Sequence, residues 1–303
     1  MMPKERSRKI MLSPTGLSWR KTGLTANRNR KERRKKMIFY LSATLISCFI
    51  LIPFFWMVVT SLKERGALMV IPIQWWPEKI SFKAYQELFA LDFPFTKSIL
   101  NSLFVSVMVT FLTVMAAAMA AYVFAKIDFR GREILFSLYV ATMMIPSQVT
   151  MIPNYLVLKY LGLLNSFTGL MLPSLFNAFA TFMLRQNMKS IPDAYLEAAE
   201  LDGATHVTIF FRIVLALSKP ALATLAVITF MGAWNDYLWP LIILTERTKM
   251  TLPVGLSLLN GQYSSRYNLL MAGALISMIP ILIVYAFAQK YFEQGLSIGG
   301  IKR

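Results

Sequence analysis

The chain has 303 residues, is 56% hydrophobic and 13% aromatic, and carries a formal net charge of +17. This composition indicates a membrane protein rather than a water-soluble domain. The single cysteine, Cys48, excludes an intrachain disulfide framework and a thiolate metal cluster. The single histidine, His206, has no second histidine with which to form a metal site, so we predict that it is an ordinary loop residue.

A basic tail precedes the first apolar segment. Residues 1–37 contain 13 Lys and Arg, and we predict a cytoplasmic N-terminal tail that is disordered at its start, where Pro, Ser, Asn and Gly separate the charges. A basic segment directly before an apolar one is typical of contact with anionic lipid. We therefore predict membrane lipids, and no nucleic acid, as the partner of the tail.

Six apolar segments are each long enough to cross the hydrocarbon core, which requires about 20 helical residues. They lie near residues 38–61, 98–124, 134–158, 166–188, 220–245 and 270–292. The first is too long for a cleavable signal peptide and lacks a small-residue cleavage pattern. The sequence therefore predicts an all-α membrane protein, with six transmembrane helices in a domain of residues 38–303.

Orientation follows from the basic residues between the segments. Of the 32 Lys and Arg residues, 23 lie in the tail, in residues 125–133, in residues 185–219 or after residue 289. Positive loops face the cytoplasm, so we predict that both termini and residues 189–219 are cytoplasmic. The opposite side has two longer loops, residues 63–97 and 246–269. Trp75 and Trp76 in the first are typical of an aromatic belt, or alternatively of a docking surface for an external partner.

The third and fourth segments carry prolines and amides. Pro146 and Pro153 predict a kink in the third segment, where freed backbone groups need polar neighbours or water. Gln148, Asn154 and Asn177 are candidate cavity-lining residues, although hydrogen bonds between helices are an alternative role for each.

A short polar segment, Glu197-Ala198-Ala199-Glu200-Leu201-Asp202-Gly203, lies between the fourth and fifth apolar segments. Nine residues separate Gly203 from Ile213-Val214-Leu215. This pattern resembles the EAA loop of the permease subunits of binding-protein-dependent bacterial ABC importers. Ala216 departs from it, because the family usually has proline there.

The resemblance implies that residues 189–219 form a coupling loop between helices 4 and 5, which docks into an ATPase made by another chain. Glu197 and Asp202 would make charged contacts, and Ala198 and Ala199 would permit close approach. We expect Gly203 to relieve the backbone at a sharp turn, at a contact where only a hydrogen atom fits.

The fifth segment contains Asp236, the one acidic residue placed inside a predicted span, where a carboxylate is costly unless it faces water or a partner. Helical spacing places Thr229, Ala233, Asp236 and Pro240 on one stripe, which predicts that this stripe faces the bundle or a cavity.

The surrounding residues Trp234-Asn235-Asp236-Tyr237 resemble a segment of the carbohydrate (maltose-type) branch of these permeases. Trp and Tyr rings stack on the faces of sugar rings, while amide and carboxylate groups form hydrogen bonds with sugar hydroxyl groups. With Gln148 and Asn177, these four residues are the predicted substrate pathway. An alternative is that Asn235 and Asp236 cap a broken helix or lie near the outer interface.

The resemblance as a whole implies a subunit of a sugar importer in the bacterial cytoplasmic (inner) membrane, with oligosaccharides as the favoured substrate. Its implied partners are a second homologous permease in a heterodimer, two ATPase subunits and an extracytoplasmic solute-binding protein. The sequence has no Gly-x-x-x-x-Gly-Lys-Ser/Thr loop, so we expect ATP and Mg on the ATPase, and no cofactor, metal or catalytic residue in this chain.

A polyol or glycerol phosphate remains an alternative substrate. An ion-coupled secondary transporter is a rival class, but it should have several buried ionisable residues, whereas Asp236 stands almost alone. An intramembrane enzyme is a second rival, but it would need a clustered catalytic constellation, which we do not find.

Overall fold

The structure is a computed structural model that describes the backbone of residues 19–64, 74–263 and 266–298. Side chains are described for residues 33–64, 74–263 and 266–289. The regular secondary structure of the described residues is helical, with no strand among them, as the sequence predicts. The chain divides into two compact units, Met1–Trp56 and Met57–Arg303. The predicted disorder at the start of the tail concerns residues 1–18 and lies outside the described residues.

The N-terminal part of the described chain contains three helices. They are α1 (Trp19–Ser61), α2 (Lys83–Ala90) and α3 (Phe95–Lys126). Helix α1 runs through residue 37 without interruption, so the proposed boundary between the tail and the membrane domain lies within a helix.

The middle of the chain forms short helices separated by breaks. They are α4 (Arg132–Ala141), α5 (Ser147–Tyr160), α6 (Phe167–Met171) and α7 (Ala178–Lys189). A 3₁₀ turn, Thr142–Met144, extends α4, and a second, Leu172–Leu175, extends α6.

The last part of the described chain begins with the predicted coupling loop, which is itself helical. Its helices are α8 (Ala194–Leu201), α9 (His206–Ile209) and α10 (Leu215–Leu217), with a π-helical segment, Phe210–Val214, joining the last two. The remaining helices are α11 (Lys219–Asn235), α12 (Leu238–Ile243), α13 (Leu252–Gln262) and α14 (Tyr267–Ile298).

Helix α3 is the central element of the second unit and packs along both α7 and α11. Its buried face includes many small residues, among them Ala117, Ala118 and Ala121, which allow neighbouring helices to approach closely. Buried hydroxyl groups on the same helix hold adjacent segments. The Ser102 hydroxyl accepts from the backbone N–H of Leu252 at 2.7 Å, and the Thr113 hydroxyl donates to the carbonyl of Ser174 at 2.9 Å.

Within the described residues, three single helices are long and apolar enough to cross a membrane: Arg33–Ser61, Phe95–Lys126 and Tyr267–Gln289. They correspond to the first, second and sixth predicted spans. Three further spans are possible if bent helix pairs each count as one. Two of these pairs, Arg132–Tyr160 and Phe167–Lys189, overlap the third and fourth predictions. The third pair joins His206–Leu217 to Lys219–Asn235, whereas the sequence predicted a fifth span over residues 220–245.

Candidate functional site

Three helical interruptions border two neighbouring cavities of the second unit. The first separates α4 from α5 at Pro146, where the chain bends by 100°. Ile145 is extended there, as expected of a residue before proline. The second interruption lies before Asn177, with a bend of 44°. The third separates α11 from α12 at Asp236 and Tyr237.

The first cavity has a volume of about 280 Å³ and lies among α3, α6, α7 and α11. Its wall is mostly apolar, with a few neutral polar groups and one carboxylate. The polar lining residues are Thr113, Ser174, Asn177, Thr229 and Asp236.

The second cavity has a volume of about 390 Å³ and is more polar. Its polar lining residues are Ser147, Gln148, Thr150, Asn154, Ser174 and Asp236, beside the indole of Trp239. Ser174 and Asp236 line both cavities, so the two spaces share a wall. Both volumes lie near the lower end of the range for small-molecule pockets, about 300–1,000 Å³.

Asp236 lies immediately after the end of α11, in extended backbone conformation with φ −67° and ψ 124°. Its carboxylate lies beside the backbone N–H groups of Trp239 and Tyr237. The expectation of one continuous helix through residues 220–245 is therefore wrong, and Asp236 is the residue that ends α11 at a break. Nevertheless, Thr229, Ala233, Asp236 and Pro240 all line the first cavity, because the stripe keeps its direction across the break.

The predicted amides occupy the cavity walls. Gln148 and Asn154 line the second cavity and Asn177 lines the first. The Asn177 side-chain oxygen also accepts from the backbone N–H of Ala180 at 2.9 Å, which caps the start of α7. Its amide NH₂ remains available for a solute, so a structural and a binding role are compatible at this residue.

Three other predicted pathway residues line neither of these two cavities. Trp234 is 2% exposed and its indole N–H donates to the Ser277 carbonyl at 3.0 Å. The Asn235 amide donates to the Met231 carbonyl at 2.8 Å, and the Tyr237 hydroxyl lies 3.1 Å from that of Ser257. The contacts of Trp234 and Tyr237 join neighbouring helices, and that of Asn235 lies within α11. A role in the pathway stays a prediction for all three residues.

Sequence reasoning did not select Trp239 or Ser174 as site residues. The Trp239 indole N–H donates to the Leu170 carbonyl at 3.1 Å, and the ring forms part of the second cavity. Its position three residues after Asp236 is the sequence signal that places it on the same helical face. Ser174 carries no comparable signal, because its position depends on the 3₁₀ turn and the bond from Thr113.

The predicted coupling residues lie on and beside α8. Glu197, Ala198, Asp202 and Gly203 are exposed. Ala199 is half-buried and, with Leu196, packs against a core cluster that includes Leu184 and Ile209. One face of α8 therefore packs against the rest of the second unit, while the opposite face is exposed.

Gly203 has φ +82°, a conformation that L side chains rarely adopt. A Cβ added there would meet no atom of this chain within 4 Å. Within this chain, the requirement for glycine at the turn therefore comes from backbone conformation, whereas the sequence led us to expect a contact where only hydrogen fits. Whether an ATPase restricts the same position stays a prediction.

His206 contacts the central helix. Its Nδ1 lies 3.2 Å from the Tyr122 hydroxyl and 3.9 Å from a carboxylate oxygen of Glu200. These contacts link α3, α8 and α9, which is a structural role.

Comparison with known proteins identifies the class. The model of the family described as binding-protein-dependent transport system inner membrane component matches residues 113–298. The arabinooligosaccharide transport system permease AraQ of Bacillus subtilis (strain 168) is 36% identical over 267 residues, covering 88% of this chain and 94% of that protein. The sn-glycerol-3-phosphate transport system permease UgpE of Pectobacterium atrosepticum is 37% identical over 205 residues, covering 67% and 73%.

A solved structure has the same fold. It is a bacterial ABC transporter involved in the import of the acidic polysaccharide alginate, with a TM-score of 0.76 and 27% identity over 87% of this chain and 98% of the solved chain. The present chain belongs to the family of inner-membrane components of binding-protein-dependent transport systems. It is a permease subunit of the ABC importer class, in the branch whose relatives are named for sugars, and its relatives are transporter subunits rather than enzymes.

Proposed function

We propose that this chain forms one half of the translocation pathway of an ATP-driven sugar importer, with oligosaccharides as the substrate class. The observation that carries the proposal is the position of Asp236 at a helix break, in the wall shared by the two cavities. Transporters place their substrate sites at interrupted helices, because unwound backbone and inward-facing polar side chains are tolerated only beside a cavity.

The chemistry of the cavities suits a carbohydrate. Hydroxyl and amide groups of Ser147, Gln148, Thr150 and Asn154 can donate to or accept from sugar hydroxyl groups. The Trp239 indole supplies an aromatic surface beside them, and such surfaces pack against sugar rings. Each volume is small, so an oligosaccharide would occupy the cavities a few units at a time. The sugar branch of the family contains permeases named for uncharged and for anionic solutes, so membership alone does not decide the charge of the substrate.

The exposed face of α8 supports docking of a separate ATPase. Leu201 is 90% exposed and Tyr195 is 56% exposed, beside the charged side chain of Glu197. Large apolar side chains at such exposure, rimmed by charge, are typical of a protein interface. We propose that two ATPase subunits bind ATP and Mg, that one receives this face, and that the other binds a homologous permease in a heterodimer. A solute-binding protein would deliver sugar from outside the membrane.

We also propose six membrane spans, with both termini and residues 189–219 in the cytoplasm and residues 1–37 as a separate basic tail. The three long apolar helices and the three bent pairs support the number of spans. The asymmetry of basic residues supports the orientation.

Reconstitution tests the proposed function. The assembled transporter in proteoliposomes should take up an oligosaccharide only with ATP and the binding protein. Uptake that follows a proton or sodium gradient without ATP would contradict it.

The docking face is tested with Leu201→Asn, which should reduce co-purification of the ATPase. Leu161→Asn is the matched control, because Leu161 is an exposed leucine (53%) at a turn outside the coupling loop. Equal loss of the ATPase in both variants would contradict docking at α8.

A further inference from the structure

We propose that the cavities select uncharged saccharides over anionic ones, and that the carboxylate of Asp236 makes this selection. The inference rests on the proposed function and names its substrate class more narrowly.

Asp236 is the only ionisable side chain among the described residues that line these two cavities. The other polar groups are neutral hydroxyls and amides. They are Thr113, Ser147, Gln148, Thr150, Asn154, Ser174, Asn177 and Thr229. Neither wall includes a lysine or arginine from the described part of the chain. A solute that passes through either space therefore meets one negative charge and no positive charge from the described part of this subunit.

The carboxylate lies in the wall that the two cavities share, beside the backbone N–H groups of Tyr237 and Trp239. A charge in a partly desolvated space acts more strongly on a passing ion than the same charge in bulk water.

The consequence differs between solute classes. The hydroxyl groups of a neutral sugar can donate hydrogen bonds to the carboxylate. They can also donate to, and accept from, the surrounding hydroxyls and amides. A uronate, phosphate or sulfonate group is repelled by the carboxylate, and binding such an anion normally uses arginine or lysine. The two walls offer no such residue within the described chain.

The purely structural role of Asp236 is to end α11 at the helix break, and the test must separate this role from selection. Asp236→Asn serves this purpose, because the amide oxygen still accepts from a backbone N–H while the charge is lost. A structural role alone predicts unchanged charge selectivity in this variant.

The first measurement reads the charge of the cavity directly. In the assembled transporter with Cys48→Ser, a cysteine is introduced by Ser174→Cys or by Gln148→Cys. The rates of modification by a trimethylammonium-ethyl and a sulfonato-ethyl methanethiosulfonate are compared with those of a small free thiol. We expect the cationic-to-anionic rate ratio to exceed that of the free thiol by about tenfold, and Asp236→Asn to abolish most of the excess.

Glu246→Gln is the matched control, because it removes an exposed carboxylate that lines neither cavity. It should leave the ratio unchanged. A ratio that is insensitive to Asp236→Asn, or equally sensitive to Glu246→Gln, would overturn the inference. Failure of both reagents to modify either cysteine would overturn its premise that these walls are open to solutes.

The second measurement uses transport. ATP-driven uptake of arabinotriose and of trigalacturonate is compared in proteoliposomes that contain the wild type or Asp236→Asn. For each transporter, the uptake of trigalacturonate is divided by that of arabinotriose. The ratio for the variant is then divided by that for the wild type, which cancels the preference of the shared binding protein. We expect the variant to shift the ratio towards the acidic sugar by about tenfold. An unshifted ratio would contradict selection by Asp236, whereas absence of ATP-driven uptake of either sugar would contradict the proposed function.

Discussion

The ammonium group of Lys126 lies 2.6 Å from a carboxylate oxygen of Asp193, joining the last residue of α3 to the residue before α8. The same ammonium donates to the Ile191 carbonyl at 2.6 Å. The Lys126 side chain is 4% exposed, whereas that of Asp193 is 73% exposed. The central helix, which lines the first cavity, is thus bonded directly to the segment that leads into the proposed docking helix.

We expect Lys126→Met to weaken this connection while preserving the length of the side chain. Losing the two hydrogen bonds should reduce stability by about 1–3 kcal/mol. It should also lower the stimulation of ATPase activity by sugar-loaded binding protein. Asp193→Asn should have a smaller effect, because its side chain is exposed and Lys126 keeps the Ile191 carbonyl. Full stimulation in a stably assembled Lys126→Met transporter would contradict a role in coupling.

Gly203 is expected to be required for its backbone conformation. Gly203→Ala should destabilise the turn by about 1–2 kcal/mol, and Gly203→Asn should be milder because asparagine tolerates positive φ better. Gly162 has φ +68° and no atom within 4 Å of an added Cβ, so Gly162→Ala is a matched control outside the coupling loop. ATPase co-purification should fall in Gly203→Ala and remain in Gly162→Ala. Equal co-purification in both would show that the turn does not govern docking.

Glu133 is expected to stabilise a group of basic side chains. One of its oxygens lies 2.5 Å from the guanidinium of Arg185, which is 3% exposed, and it also contacts Arg132 and Lys189. The guanidinium additionally lies 3.8 Å above the ring of Phe136. Removing the acid leaves a buried cation without its carboxylate.

We predict that Glu133→Ala lowers the melting temperature, and that Glu133→Gln lowers it less, because the amide keeps an acceptor. Both effects should be smaller than for a fully buried pair, since Glu133 is 58% exposed. Asp128→Asn provides the control, because Asp128 is 95% exposed and should change stability by less than about 0.5 kcal/mol. Thermal unfolding in detergent measures all three, and equal melting of Glu133→Ala and Asp128→Asn would refute the prediction.

The contribution of Glu246, in the loop after α12, to the stability of the protein is expected to depend on pH. The Thr248 hydroxyl, the Lys249 ammonium and the Asn165 amide lower the pKa of its carboxyl group from 4.5 to about 2. A lowered pKa stabilises the folded state above the ordinary pKa, and this contribution disappears as the pH falls from about 4.5 to about 2. The difference in melting temperature between wild type and Glu246→Gln should therefore be constant from pH 7 to 5 and shrink below pH 4.5. A difference that grows with acidity would have the wrong sign.

The proposed orientation predicts the accessibility of two introduced cysteines. In a Cys48→Ser background, a membrane-impermeant maleimide should label Lys79→Cys in spheroplasts without further treatment. It should label Ser190→Cys only after permeabilisation, because residues 189–219 are proposed to be cytoplasmic. Labelling of Ser190→Cys in sealed spheroplasts would invert or abolish this topology.

Sequence periodicity predicted the helical class and the approximate positions of most long apolar segments, because apolar length and charge are local properties. It also located the polar side chains Gln148, Asn177 and Asp236, which the structure places on cavity walls. It left the break after Asn235 as one of two alternatives, because no adjacent proline marks it. Bonds from distant segments position that region: the backbone N–H of Asn165 donates to the Ile243 carbonyl at 2.9 Å, and Trp239 donates to Leu170. Such long-range pairings, like that of Glu133 with Arg185, leave no periodic signal in the sequence.

The interrupted helices have a consequence for biogenesis. Helix α5 has 14 residues and α7 has 12, both below the about 20 that span a hydrocarbon core. The backbone groups freed at each break are stable only when protein or water satisfies them. These segments therefore depend on their neighbours for stable insertion, and a nascent chain halted after α5 should be held by the insertion machinery or degraded. Membrane integration of this subunit is in that sense a step of tertiary folding.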